Sequence, residues 1–179
     1  VEIPLQQLSA EDRDYIELEM PPDLNIEFAK TTEQRVFPES LSDLPNAEYY
    51  DFEATVEQTS TDPYGQPLVA EYWVIGEERS GDKNMLLDYQ RREFVLDEEN
   101  NETFAFTGNR VELIDYQLSN GQRRGKQYGG YLVVVTDARG ETIAHKESSA
   151  WYFEHLDNLR QVPVGKYFDD TCTRCIPSR

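Results

Sequence analysis

What this chain has little of narrows its chemistry before any pattern is read. In 179 residues there are two cysteines and two histidines. That is a thin supply of soft ligands for a four-coordinate zinc site. The cysteines form a CTRC pair, Cys172 and Cys175, near the C-terminus. A redox CxxC of the thioredoxin kind opens a helix after a buried strand, where the helix end lowers the thiol pKa. This one sits between Asp169-Asp170 and Ile176-Pro177 and lacks that setting. Cys172 and Cys175 are therefore read first as a small local disulfide, then as free thiols, and last as a metal or redox site.

P-loop, Rossmann-glycine, nucleophile-elbow, HExxH and EF-hand patterns are missing as well. No apolar run approaches the roughly 18 residues that span a bilayer, so no direct membrane span is expected. The chain begins at Val1. It is read as a mature or trimmed form whose targeting segment lies upstream. Cations are scarce too: 17 Lys and Arg stand against 35 Asp and Glu, a formal charge of −18. The imbalance is −12 in residues 1–60, −8 in 61–120 and +2 in 121–179. Most of such a surface repels phosphate backbones and anionic headgroups, which argues against nucleic acid and acidic lipid as partners. With 38% hydrophobic and 12% aromatic residues, the chain still has enough apolar material to fold around a core.

What is there is organised around GGYLVVVTDARGETIAHKESSAWYFEHLDNLRQ, residues 129–161. Tyr131 to Thr136 is too apolar to leave either face in water and reads as a central strand. Asp137-Ala138-Arg139-Gly140 fits a type I turn, with Gly140 free to take positive φ. Glu141 to Lys146 alternates as a strand with one wet face does. Ser148 or Ser149 can cap a helix over about 149–161, with Tyr152, Leu156 and Leu159 forming its buried stripe.

Elsewhere the pattern is of short strands between turns. Asp14 to Met20 alternates and is predicted to be a strand ended by Pro21-Pro22; Leu24, Ile26 and Phe28 predict a second. PESLSDLP, residues 38–45, reads as a connecting loop. Tyr50, Phe52, Ala54 and Val56 share one face of a strand. TDPYGQP, residues 61–67, is a turn, and LVAEYWVI, residues 68–75, is a strand with Trp73 buried. Met85 to Leu96 is predicted to be one strand with a bulge near Arg91 and Arg92. DEENNE, residues 97–102, is a solvated loop rather than a cation site. Strands follow at 103–107 and from Val111, and SNGQRRGKQYGG, residues 119–130, reads as a basic, glycine-rich loop.

The sum is a mainly β protein: an antiparallel β-sandwich of immunoglobulin-like type with one α-helix in the C-terminal half, a distorted barrel being the alternative. Residues 1–46 form an acidic N-terminal arm with short strands, 47–168 the sandwich, and 169–179 a tail carrying the CxxC. Nothing points to catalysis, a cofactor or a metal. His145 and His155 lack a nameable partner and read as packing or surface residues. Asn101-Glu102-Thr103 matches the glycosylation acceptor pattern, a short match. The one contrast is Arg123, Arg124 and Lys126 with Tyr128, a basic tract in an acidic chain and the candidate partner-docking loop. It could engage an acidic region of its own chain or of a second copy, head to tail, so a homo-oligomer is possible.

The hairpin 129–154 and the closing VPVGKYFDDTCTRC resemble a family of secreted or envelope immunoglobulin-like proteins of the Verrucomicrobia type, whose hairpin reads YGG-Φ-VVV-D-x-x-G-x-Φ-A with Φ apolar. The resemblance covers about the last half of the chain. It implies export to the periplasm, outer membrane or cell surface. For some members it implies association with type IV pilus-like gene clusters. It brings no functional residues with it. The expected function is accordingly a non-enzymatic module for protein–protein interaction or surface assembly with other envelope proteins. The alternative is a carbohydrate-binding or carbohydrate-processing module, which requires a concave surface with exposed aromatics near a carboxylate pair.

Overall fold

The computed structural model describes residues 8–35, 46–61, 64–97 and 102–176. The loop expected at 38–45, most of DEENNE and Asn101 of the acceptor pattern lie outside them. The first element overturns a prediction: Asp14 to Met20 is not a strand, because Ala10–Glu19 is a helix, α1. Ser9 decides this. Its hydroxyl accepts the Asp12 N–H at 3.1 Å and donates to the Asp12 carboxylate at 2.6 Å, and Glu11 and Asp12 place negative charge on the first turn. The alternation of Ile16, Leu18 and Met20 is too short to override that cap, and the helix buries none of its residues.

The strands build two layers. Strand β1 (Leu24–Arg35) pairs with β2 (Asn46–Gln58) along its whole length, from Leu24 opposite Gln58 to Arg35 opposite Ala47. The far side of β2 carries β5 (Thr103–Thr107) on one half and β6 (Val111–Gln117) on the other. The second layer runs β8 (Thr142–Glu147), β7 (Arg123–Thr136), β3 (Leu68–Glu78), β4 (Asn84–Phe94) and the two-residue β9 (Tyr167–Phe168). All pairings are antiparallel, and the chain changes layer at β2→β3, β4→β5 and β6→β7, the immunoglobulin-like order. Because β7 pairs first with β6 and then with β3, the layers are joined in one open nine-stranded sheet, folded over as a sandwich and not closed into a barrel.

Period-two patterning fills the space between the layers. Ile26, Phe52, Ala54, Val56 and Phe106 from one layer meet Leu68, Ala70, Tyr72, Val133 and Val135 from the other. Rings dominate, with Phe28 stacked on Tyr131 at 4.3 Å and Phe94 on Phe104 at 4.3 Å. A second core covers the outer face of β7-β3-β4. There Trp73, Ile75, Leu86, Leu132 and Val134 lie under Tyr152, Leu156, Leu159, Val162 and Phe168. The doubly apolar YLVVVT run is thereby explained: Val133 and Val135 face one core, Leu132 and Val134 the other. At about 1.5–3 kcal/mol per fully buried aliphatic side chain, neither set tolerates exposure.

Three local predictions need correction. The helix expected over 149–161 is two pieces, α2 (Ala150–Glu154) and α3 (Leu156–Leu159), broken at His155, although Tyr152, Leu156 and Leu159 are buried as the stripe required. Ser149 is the N-cap yet makes no side-chain capping bond, and the Ser148 hydroxyl instead accepts the Tyr131 N–H at 2.9 Å. Strand β4 is continuous, but its bulge lies at Leu87, opposite Val74 and Ile75, and not at Arg91 and Arg92. Those arginines are exposed and need no interruption of the ladder, whereas the extra residue lets Leu86 face the second core and Leu87 the first. The Asp137 turn forms as expected, its carboxylate accepting the N–H groups of Arg139 and Glu141, each at 2.9 Å. The third correction concerns residues 119–130.

A groove where the two layers separate

The basic tract is not a loop. Only residues 118–122 turn, with Leu118 N–H on the Gln122 carbonyl at 2.8 Å and Gly121 at φ +84°. From Arg123 the chain is already β7. Glycines at 121, 125, 129 and 130 disguised a strand as a linker. Gly125 is its pivot. Up to that residue β7 pairs with β6, Gly125 opposite Asp115; from Lys126, opposite Glu78, it pairs with β3. The switch demands a φ of +111°, and a Cβ there would collide with the Ile114 carbonyl oxygen.

Asp115 locks the pivot. It is buried and binds the guanidinium of Arg123 at 2.6 Å and that of Arg79 at 3.1 Å, while the Arg79 N–H donates to the Gly125 carbonyl at 3.0 Å. Arg123 is thus spent on the fold. Tyr128 is spent as well. It stacks near Tyr50 and Phe52 at 6.0 and 5.9 Å, beneath the Lys30 ammonium 4.2 Å from its ring centre, and burial pushes its hydroxyl up to about 12. Of the four candidate docking residues, only Arg124 and Lys126 reach a shared surface.

That surface is a groove of about 1030 Å³. The end of β3 supplies Glu78 and the β3–β4 loop Ser80 and Asp82, β6 supplies Glu112, Ile114 and Tyr116, β7 supplies Arg124 and Lys126, and β9 supplies Tyr167. Arg124 donates to the Ser80 hydroxyl at 3.1 Å, and the Lys126 ammonium stands 5.6 Å from the Tyr167 ring centre. The apolar side chains Ile114 and Tyr116 on β6 and Leu118 just past its end are 44, 43 and 38% exposed. Sequence reasoning missed Tyr116, Tyr167 and the acids around them as a site. One signal was legible: VELIDYQL carries apolar residues on both of its faces, although β6 is covered on one face alone.

The other candidates disperse. His145 stacks on Phe153 at 3.7 Å with Nδ1 2.8 Å from Glu147, and His155 marks the break between α2 and α3. Among the described residues, no group of three or more His, Cys, Asp or Glu is placed to hold a metal ion. Cys172 and Cys175 are free, so the local disulfide is not present. Cys172 is buried in the second core, at φ +56°, and burial pushes its thiol up to about 12, the nearby Asp169 adding to the effect. Its sulfur is used as an apolar filler. Cys175 is half-buried, its N–H on the Tyr167 carbonyl at 2.9 Å, beside the groove. Among the described residues, no helix is long and apolar enough to cross a membrane.

No protein-family model matches the chain, and no curated protein matches it. Solved structures similar to it at a distance include the following three. A crystal structure from Akkermansia muciniphila is 19% identical over 74% of this chain and 76% of that one, with a TM-score of 0.36. An X-ray structure of a structural genomics target is 13% identical over 69% and 84%, with a TM-score of 0.27. A β-glucosidase from Kluyveromyces marxianus, crystallised with glucose, is 13% identical over 89% of this chain but 18% of the enzyme, with a TM-score of 0.28. Likenesses this low carry neither a family nor an activity to this chain.

Proposed function

We propose that this chain is a non-enzymatic immunoglobulin-like module of an exported protein, acting in the cell envelope or at the cell surface by binding another envelope protein. The observation that carries the reading is the exposed row of Ile114 and Tyr116 on β6 and Leu118 just beyond its end, with Glu112, Arg124 and Lys126 nearby. An apolar centre with a charged rim is the anatomy of a protein-binding patch, and tyrosine and arginine are over-represented in such patches. A photo-crosslinking residue at position 116, in cells producing the protein, should give a discrete adduct that one at Glu53, on the acidic face of β2, does not. Equal adducts at both positions, or none at 116, would refute the reading. Copies of the chain joining head to tail would appear in the same experiment as an adduct of twice the chain mass.

A second reading, carbohydrate binding, is favoured by one specific observation: Tyr116 and Tyr167 stand on separate walls of a concave site that also holds Glu78, Asp82 and Glu112. Aromatic faces and planar carboxylates are the groups that sugars use.

A further inference from the structure

We infer that the groove between β6 and β9 is a binding site for a short, neutral oligosaccharide. The inference rests on the carbohydrate reading and sharpens it to one ligand class.

Shape comes first. At about 1030 Å³ the groove is at the upper end of the ~300–1,000 Å³ range typical of small-ligand sites. That is room for a few sugar rings. A flat protein interface needs no such hollow; of the exposed apolar row, Ile114 and Tyr116 line the groove and Leu118 lies outside it. The lining then selects by charge. Glu78, Asp82 and Glu112 oppose an anionic ligand, and Arg124 and Lys126 oppose a cationic one. With both signs interleaved, the ligand that satisfies the site is uncharged and bears groups that donate and accept at once. Sugar hydroxyls do both. The carboxylates accept from them, the guanidinium and ammonium groups donate to them, and the Ser80 hydroxyl can do either.

Placement supplies the remaining requirement. Tyr116 is 43% exposed. Tyr167, half-buried, has the Lys126 ammonium near its ring at 5.6 Å and its backbone carbonyl held by Cys175 N–H at 2.9 Å. Both rings are therefore carried by strand backbone, one on each layer, and offer apolar faces at low entropic cost. The Asp115–Arg79–Arg123 lock fixes the angle between the layers and so the spacing of the two tyrosines.

The test uses the full chain and three named probe sets in titration calorimetry with parallel NMR: neutral oligomers (cellotetraose, maltotetraose, chitotetraose), an anionic oligomer (tetragalacturonate) and a cationic one (chitosan tetramer). At least one neutral oligomer should bind in the micromolar to millimolar range, with shifts confined to the groove. Tyr116→Ala and Tyr167→Ala should each weaken binding tenfold or more, and Leu118→Asp, outside the groove, by less than twofold. Thermal unfolding of each variant separates lost binding from lost fold. Tighter binding of a charged oligomer in the groove would overturn the inference while leaving the carbohydrate reading standing. No binding by any oligomer would overturn both, as would binding indifferent to both tyrosines. Loss of the position-116 protein adduct in Tyr167→Ala, with no sugar bound, would assign the groove to a protein instead.

Discussion

The two outer faces of this sandwich were given opposite sequences, and only one of them needed a cover. The outer face of β7-β3-β4 carries Trp73, Ile75, Leu86, Leu132 and Val134, and the chain spends α2, α3, β9 and its tail on roofing it. The outer face of β1-β2-β5 carries Glu27, Glu53, Glu57, Thr55, Ala105 and Thr107, all meeting water or only half-shielded. Both faces obey the same alternation. What differs is the residue placed on the outward beat, and that choice decides whether a third layer exists. The comparison also isolates β6. It belongs to the bare face, yet Ile114 and Tyr116 stand on it where glutamate and threonine stand on its neighbours. That apolar exception on an otherwise polar face is the feature on which the proposed binding role rests.

The sharpest way to break the comparison is to truncate one side chain to alanine on each face. Leu159→Ala removes a fully buried side chain from the roof and should cost about 2–5 kcal/mol, because the rings around it cannot collapse into the gap. Thr55→Ala on the bare face should stay within about 0.5 kcal/mol. Urea unfolding of both variants checks this, and similar losses would mean the bare face is covered in solution. A smaller effect is expected at the seam. Gly125→Ala forces a side chain into the left-handed region and against the Ile114 carbonyl, at a cost of about 1–3 kcal/mol. Its diagnostic is position: hydrogen exchange should rise at residues 115–125 first, since the pairing of β6 with β7 is only three residues long there. A rise spread evenly over both cores would show that the pivot is not local.

Legibility followed burial. The hairpin of β7 and β8, the inward faces of β2 and β3, buried Trp73 and the Tyr152–Leu156–Leu159 stripe could all be read, because apolar period and burial coincide in them. Helix α1 could not be read from period, since it buries nothing and is set by one serine cap. The β7 pivot was hidden for a different reason: glycine marks a loop in most contexts, and here it marks a strand that must change partners at close range. The groove was less legible still. Its members come from residues 78–82, 112–116, 124–126 and 167, and only the crossing of β7 from one layer to the other brings them together. Arg124 and Lys126 were singled out by charge, whereas Arg123 and Tyr128 shared that stretch and went to Asp115 and the core.

The gentlest probe of the roof is its own thiol. Cys172 packs with Phe168 and Leu159 in the second core, and burial raises its pKa to about 12 from an ordinary value near 8.5. The neutral thiol is the form favoured by folding, so at pH 8 the reactive thiolate is present in about one molecule in ten thousand, even before access is considered. Cys175 is only half-buried and lies outside that core. A thiol-blocking reagent at pH 8 should therefore modify one equivalent quickly, at Cys175 by peptide mapping, and the second only at the rate of local opening. Because the second step waits for local opening, raising the pH toward 9.5 should speed it only as far as the opened thiol, back at its ordinary pKa, gains thiolate. Two fast equivalents in the native protein would mean the tail does not close the roof, and the contrast between covered and bare faces would then rest on α2 and α3 alone.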